Sequence, residues 1–102
     1  MNILKDCDLN LLISFQALIE ERSITRAGRR LSLTQPAMSR VLDRLQEMFG
    51  DELLVRMARG YEPTHRALDI YAELKQLLPR IENLLRRDEF MKVELRYIEA
   101  VE

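Results

Sequence analysis

Three polar side chains near the start of the stretch TQPAMSRVLDRLQEMF, residues 34–49, have the types and spacing that suit hydrogen bonding to nucleic acid. Gln35, Ser39 and Arg40 fall within the same polar half of a helix, because a helix repeats about every 3.6 residues. A glutamine amide suits an adenine edge or a phosphate, and a serine hydroxyl suits a phosphate or a base. An arginine suits guanine or the backbone. The chemistry that this spacing predicts is recognition of a duplex.

The same stretch has an apolar half that would fix the helix to a core. On a helical projection the apolar residues fall together on the side opposite to the polar ones; they are Ala37, Met38, Val41, Leu42, Leu45, Met48 and Phe49. Thr34 suits the N-cap, Pro36 suits the first turn, and Gly50 suits the residue after the helix. An ordinary amphipathic surface helix has this pattern too, so the neighbouring segments have to decide between the two interpretations.

Two further helices and a tight turn precede this stretch. The apolar spacing in residues 8–21 predicts a helix capped by Asp8, and Ser23 suits the cap of a short helix over ITRAGRRL. We expect close approach of a neighbouring helix at Gly28, and we expect Leu33 to anchor the turn 32–34 to the core. A short helix, a three-residue turn and an amphipathic helix together predict a helix-turn-helix.

A hairpin is predicted directly after the third helix. Residues 53–55 and the region of Tyr61 suit two short strands, joined by a tip at residues 57–60. This hairpin would form a wing with Arg56 at its base and Arg59 at its tip, able to touch the DNA backbone or minor groove. A surface hairpin without any contact to DNA is the alternative interpretation.

A long helix over residues 65–87, capped by Thr64, carries an apolar stripe that is too wide for one small domain to cover. We therefore predict a homodimer through this helix, with a kink rather than an end at Pro79. The residues assigned to the dimer interface are Ile70, Tyr71, Leu74, Leu77, Leu78, Ile81, Leu84 and Leu85. The tail 88–102 suits either a strand or a helix, and its charge of −3 disfavours contact with DNA.

The distribution of charge supports a local basic surface. The whole chain has a formal charge of −1, whereas residues 22–50 contain six arginines and two acids, which gives +4. Phosphates respond to such local charge, since screening is strong beyond about 8–10 Å. The arginines predicted to contact phosphates are Arg26, Arg29, Arg30, Arg44 and Arg66, although each also suits a solvated surface position.

Other classes of function have little support in the sequence. The chain has no apolar run long enough for a membrane span, and its first residues lack a signal-peptide pattern, so we expect a cytoplasmic protein. One cysteine, Cys7, and one histidine, His65, argue against a disulfide and a metal site. No phosphate-binding glycine loop or nucleophile elbow is present. We therefore expect neither an enzyme nor a cofactor.

From Asp8 to about Leu85 the chain resembles the N-terminal DNA-binding domain and linker helix of LysR-type transcriptional regulators. The resemblance rests on TQPAMSR followed by Leu42, Leu45, Gly50, Leu53 and Arg56. It implies a mainly α fold: a winged helix-turn-helix over residues 1–64, with three helices and a two-stranded wing, followed by a linker and dimerisation helix over residues 65–87. The tail 88–102 would then belong to an absent effector domain or to residues added for expression.

The resemblance also implies the partner and the residues that touch it. The partner is double-stranded promoter DNA with an interrupted dyad. The contacting positions are Thr34, Gln35, Pro36, Ser39 and Arg40, with Arg56 and Arg59 in the wing. Family members carry a larger C-terminal effector domain, for which 102 residues leave no room. A fragment, or a short relative without small-molecule control, is therefore expected. A dimerisation or antagonist module that does not act productively on DNA is the alternative function.

Overall fold

The computed structural model describes the backbone of residues 3–101 and the side chains of residues 3–86. In this part of the chain, four helices precede a single hairpin and one long helix follows it. The prediction of a mainly helical winged helix-turn-helix with a linker helix is confirmed. The elements in chain order are α1 (Ile3–Asp6), α2 (Asn10–Glu21), α3 (Ile24–Arg30), α4 (Gln35–Phe49), β1 (Leu54–Met57), β2 (Gly60–Pro63) and α5 (His65–Val101). The short helix α1 precedes the first helix that the sequence predicts.

The core forms where α2, α3 and α4 pack against one another and against the start of α5. Its largest fully buried side chains are Phe15, Leu18, Met38, Leu45 and Leu53. The rings of Phe15 and Phe49 lie 5.9 Å apart and are tilted, which joins α2 to the end of α4. Ala67 and Leu74 from α5 complete the core, so the first turns of the linker helix belong to the domain.

Side-chain caps fix where the helices of the helix-turn-helix begin. Ser23 Oγ accepts a hydrogen bond from the Arg26 amide at 3.1 Å, and Thr34 Oγ1 accepts one from the Ala37 amide at 3.2 Å. Each bond satisfies an amide that the helix itself leaves free. Gly50 ends α4 with a φ of 68°, a left-handed conformation that glycine adopts without a steric cost. All three predicted positions are confirmed.

The turn between α3 and α4 differs from the expectation in two details. A Cβ at Gly28 would lie 2.7 Å from the Leu33 carbonyl oxygen, so it is the turn, and not a neighbouring helix, that approaches this glycine. The Leu33 amide also donates to the Gly28 carbonyl at 2.7 Å. The predicted anchoring by Leu33 is wrong, since its side chain is 39% exposed and Leu31 packs against the core instead.

The wing is an antiparallel hairpin with a two-residue tip, Ala58–Arg59. Its pairs run from Leu54↔Pro63 at the base to Met57↔Gly60 beside the tip. Arg56 pairs with Tyr61, one pair from the tip, so its predicted place at the base is wrong. The strands extend further toward the tip than the prediction allowed, because Gly60 takes up the turn with a φ of 87°.

Helix α5 continues to Val101, beyond residue 87 where the prediction ended it, and the backbone of residues 88–101 is helical. Neither glycine nor proline occurs after Pro79, so nothing in the sequence stops the helix. Pro79 lies inside α5, and the helix does not end there. None of the helices in the described part of the chain has the length and apolar character needed to cross a membrane.

Candidate nucleic-acid interface

The first turn of α4 presents polar side chains to solvent while its opposite side is fixed in the core. Gln35 and Arg40 are exposed and Ser39 is half-buried. Met38, Leu42 and Leu45 on the reverse are at most 8% exposed. A helix held in this way can enter a major groove with its first turn leading, because the back is anchored and the front is free.

Five arginines on α3, α4 and the wing form an unpaired set. Within the described side chains, no ion pair or hydrogen bond holds their guanidinium groups, and all five are exposed. The set consists of Arg29 on α3, Arg40 and Arg44 on α4, and Arg56 and Arg59 in the wing. Such groups can pair with phosphates without first breaking an internal interaction.

Arg26 and Arg30, which the sequence analysis grouped with these arginines, are engaged inside the protein. Arg26 Nη2 donates to the Glu21 carbonyl at 2.7 Å, and its Nε lies 3.7 Å from the Glu21 carboxylate. Arg30 Nη2 lies 2.7 Å from Glu20 Oε1, and its Nη1 lies 3.4 Å from Glu21 Oε2. These pairs fasten α3 to the C-terminal end of α2. The signal for them was the adjacent Glu20 and Glu21 just before the arginine-rich helix.

Tyr71 joins this cluster from α5. Its hydroxyl donates to Glu20 Oε2 at 2.7 Å, and Glu20 also accepts from Gln16 Nε2 at 3.4 Å. The Tyr71 hydrogen bond, with help from Arg30, holds the pKa of Glu20 below its ordinary value despite partial desolvation. The same bond raises the pKa of Tyr71, and the Glu20 carboxylate raises the pKa of Arg30. Sequence reasoning missed this contact because it placed Tyr71 in the dimer stripe.

A second missed ion pair connects the wing to the helices. Arg22 Nη1 lies 3.1 Å from Glu62 Oε2, which links the end of α2 to strand β2. Both side chains are about half exposed, so the pair orients the wing more than it stabilises the fold. A cleft of about 390 Å³ opens beside it, lined by residues of the α3 start and the wing that include Arg26 and Arg59.

The eight residues assigned to the dimer interface fall into two groups. Four are covered by their own chain: Leu74 is 5% exposed, and Ile70, Tyr71 and Leu78 pack partly buried against the core. The other four are exposed: Leu77 by 50%, Ile81 by 46%, Leu84 by 68% and Leu85 by 65%. The apolar stripe is therefore continuous in sequence, but its burial changes along α5. Its first part lies in the core, and its later part is exposed.

Other kinds of site have little support in the described side chains. Among residues 3–86 no cluster of three or more acidic, histidine or cysteine side chains could hold a metal ion. An open apolar groove of about 770 Å³ lies between α1, α2 and the end of α4.

Comparison with known proteins places this geometry in context. Residues 9–68 match the model of the family described as bacterial regulatory helix-turn-helix protein, lysR family. The HTH-type transcriptional regulator LeuO of Escherichia coli (strain K12) is 45% identical over 82 residues, which cover 80% of this chain and 26% of that protein. The chain thus spans about a quarter of the length of this curated relative.

Solved structures show the same fold. The probable transcriptional regulator PA0477 from Pseudomonas aeruginosa superposes with a TM-score of 0.77 at 32% identity, covering 84% of this chain and 29% of that one. The DNA-binding domain of BenM, in complex with the benA site 1 DNA, superposes with a TM-score of 0.77 at 29% identity, covering 84% of this chain and 97% of that one.

Proposed function

Because the chain belongs to the lysR family of bacterial helix-turn-helix regulators, we propose that it binds double-stranded promoter DNA in a sequence-specific manner. Helix α4 would enter the major groove, and the wing would lie along the backbone or minor groove. The observation that carries the proposal is the first turn of α4, where Gln35 and Arg40 are exposed above a buried reverse side. The BenM domain supports it as a similar fold bound to DNA.

The candidate residues divide into base-reading and backbone-binding groups. Gln35, Ser39 and Arg40 would reach base edges, while Thr34 and Pro36 keep the first turn of α4 against the groove. Arg29, Arg44, Arg56 and Arg59 would neutralise phosphates, since no internal partner holds them in the described residues. Arg26 and Arg30 would contribute less to phosphate binding, because Glu20 and Glu21 already pair with their charges.

We further propose that two copies bind together as a homodimer through α5. Leu77, Ile81, Leu84 and Leu85 support this, because their exposed apolar area continues the stripe that the core covers nearer the start of the helix. Full burial of an exposed side chain of this kind contributes about 1.5–3 kcal/mol, so covering the exposed half to two-thirds of each contributes a corresponding share of that value. An antagonist module without productive DNA binding would need the same helix, but it gives no reason for the exposed polar turn of α4.

Selection of bound duplexes from a randomised DNA pool, followed by titration of the selected duplex, tests the proposal. Arg40→Ala should weaken binding of the selected duplex about 10- to 100-fold, since a bidentate base contact contributes about 1–3 kcal/mol. Arg80→Ala removes the same charge from an exposed position on α5 and should change affinity less than threefold. Affinity should fall with salt, with a log–log slope of about −0.9 per phosphate neutralised.

If no sequence is enriched, or if Arg40→Ala and Arg80→Ala lower affinity to the same extent, α4 does not read the DNA.

A further inference from the structure

The Glu20 carboxylate joins three helices at the point where the linker helix meets the helix-turn-helix. One oxygen, Oε1, lies 2.7 Å from Arg30 Nη2, and the other, Oε2, accepts from the Tyr71 hydroxyl at 2.7 Å. Arg30 is the last residue of α3, Glu20 lies near the end of α2, and Tyr71 lies in the second turn of α5. We call Glu20, Arg30 and Tyr71 the junction cluster.

The junction cluster lies on a short covalent path to the recognition helix. Only the turn, residues 31–34, separates Arg30 from α4. The backbone of this turn is closely packed, since the Leu33 amide donates to the Gly28 carbonyl at 2.7 Å. A displacement of α3 is therefore passed to α4 rather than absorbed between them. Tyr71 is the residue of α5 that hydrogen-bonds to the unit formed by α2, α3, the turn and α4.

Hydrogen bonds of this kind restrict orientation more than they add stability. The Glu20 and Arg30 side chains are 29% and 39% exposed, and ion pairs near the surface contribute little net free energy. Short bonds to a charged carboxylate are nevertheless directional and strong for their class. Apolar contacts of α5 with the core lack such direction. The packing of Ala67 and Leu74 thus holds α5 in place, and the Tyr71 bond fixes its angle.

We propose that Tyr71 is a positioning residue that sets the separation of the two DNA-reading helices in the dimer, and thereby the preferred spacing of the two half-sites. This inference rests on the proposed function, since it assumes that both copies read DNA while joined through α5. We call α2, α3, α4 and the wing the head. The angle between α5 and the head determines where α4 of one copy lies relative to α4 of the other. Tyr71 controls this angle through Glu20 and Arg30 and does not itself touch DNA.

The geometry of DNA makes spacing a sensitive readout of this angle. One base pair inserted between the half-sites moves them apart by about 3.4 Å and rotates them by roughly 35°. A head that follows such a displacement has to turn against α5. A hydrogen bond of 2.7 Å does not survive a shift of that size, because the donor–acceptor distance of an O–H···O bond stays within about 2.5–3.0 Å. The intact junction cluster should therefore oppose rotation of the head against α5. Loss of the Tyr71 hydroxyl should make that rotation easier.

The test compares Tyr71→Phe with the parent chain on a dyad selected from a randomised duplex pool by the parent, and on duplexes in which that dyad is lengthened or shortened by one and two base pairs. For the parent, we expect affinity to fall at least tenfold per base pair of altered spacing. For Tyr71→Phe, we expect a fall of less than threefold. The affinity for a duplex with one half-site should stay within twofold, and sedimentation should show the same dimer.

Gln16→Ala is the matched control. It removes another hydrogen bond to the same carboxylate, at 3.4 Å, but Gln16 lies on α2 together with Glu20. No link between helices is lost, so the spacing profile of the parent should be kept. Glu20→Gln is the second variant, since it weakens the bonds to both Arg30 and Tyr71 and should flatten the profile as Tyr71→Phe does.

Three outcomes overturn the inference, and they differ in what they say about the proposed function. If the parent selects a dyad and Tyr71→Phe keeps its spacing profile, the positioning role is wrong while DNA reading by α4 stands. If the parent selects no sequence at all, both fail. A flattened spacing profile in Gln16→Ala as well would also contradict the inference. It would mean that any disturbance of α2 removes the spacing preference, whether or not a bond between helices is lost.

Discussion

Helices α4 and α5 begin in the same way and end in different environments. Each is capped by a threonine hydroxyl that accepts from the amide three residues later, at 3.2 Å in both cases. Each carries an apolar stripe. The stripe of α4 is covered by α2, α3 and Leu53 except at Met48, which is 37% exposed. Within residues 65–86, the stripe of α5 is covered only in the first turns, and Leu84 is 68% exposed. The chain supplies its own cover for one helix and not for the other.

This difference shows what an apolar stripe does and does not specify. Its periodicity fixes which side of a helix avoids water, and it does so equally well for α4 and α5. What covers that side depends on how far the rest of the chain reaches, which is a tertiary property. Stability of the head should therefore be a property of one chain, and stability of the distal part of α5 a property of chain concentration.

Leu45→Ala should have the largest effect on the monomer. Leu45 is fully buried in α4, so the truncation leaves a cavity and should lower the free energy of unfolding by about 2–5 kcal/mol in urea titration. Leu84→Ala deletes the same atoms from α5, and at concentrations where the chain sediments as a monomer it should change that free energy by no more than about 0.5 kcal/mol. Equal losses in the two variants would mean that the chain itself covers the distal stripe.

Ile81→Glu, in the exposed part of the α5 stripe, should weaken the dimer without changing the head. It replaces a 46% exposed apolar side chain in the stripe by a carboxylate that a partner helix would have to desolvate. Sedimentation should show the dissociation constant of the dimer rising about 100-fold or more, since each tenfold corresponds to about 1.4 kcal/mol. Thermal stability of the head should not change.

The control for this experiment is Gln76→Glu, which adds the same charge to the side of α5 opposite the stripe. It should leave the dissociation constant within threefold of the parent. If Gln76→Glu weakens the dimer as much as Ile81→Glu does, charge repulsion rather than the stripe governs association.

Local signals in the sequence were sufficient for much of the fold and for one side of the site. Capping by Ser23 and Thr34 and the end of α4 at Gly50 depend on neighbours within a few residues, so their positions were predictable. The exposed side of α4 followed from the same periodicity. The roles of Gln35, Ser39 and Arg40 in DNA contact remain predictions.

Long-range pairings could not be predicted in the same way. Arg30 bonds to a carboxylate ten residues away, and Tyr71 bonds to one 51 residues away. The adjacent Glu20 and Glu21 signal that nearby arginines are paired but not which ones, and no local pattern marks Tyr71. Arg26 and Arg30 were accordingly grouped with arginines that have no partner in the described residues. The place of Arg56 was wrong for a related reason, since the register of a hairpin depends on its tip and not on strand composition.

The two threonine caps allow a direct comparison of α4 and α5 at their first residues. Thr34→Ala should lower the free energy of unfolding by about 1 kcal/mol through loss of the bond from the Ala37 amide. Thr64→Ala should cost about 2 kcal/mol, because the Thr64 hydroxyl also donates to the Glu52 carbonyl at 2.8 Å. Urea titration measures both. Serine at either position should restore most of the loss, and a larger effect at Thr34 would reverse the ranking.

The smallest expected effect concerns the Tyr71–Glu20 bond, the point where the self-covered head meets α5. The lowered pKa of Glu20 means that its ionised form favours the folded state. This contribution is present above the ordinary carboxyl pKa and is lost as pH falls through the lowered value in the folded protein. The raised pKa of Tyr71 acts in the opposite direction, so its contribution is present below the ordinary tyrosine pKa and is lost at higher pH.

The parent should therefore exceed Tyr71→Phe in the free energy of unfolding near pH 7, and the difference should narrow toward both extremes of pH. Urea titrations of the two proteins at several pH values measure this difference, in which the other carboxyl groups cancel because they are common to both. Gln16 and Arg30 also face Glu20 and remain in the variant. A difference that stays constant as pH falls from 7 through the lowered pKa of Glu20 would show that the Tyr71 bond does not depend on the charge of Glu20. No difference at any pH would show that packing alone holds α5 to the helix-turn-helix.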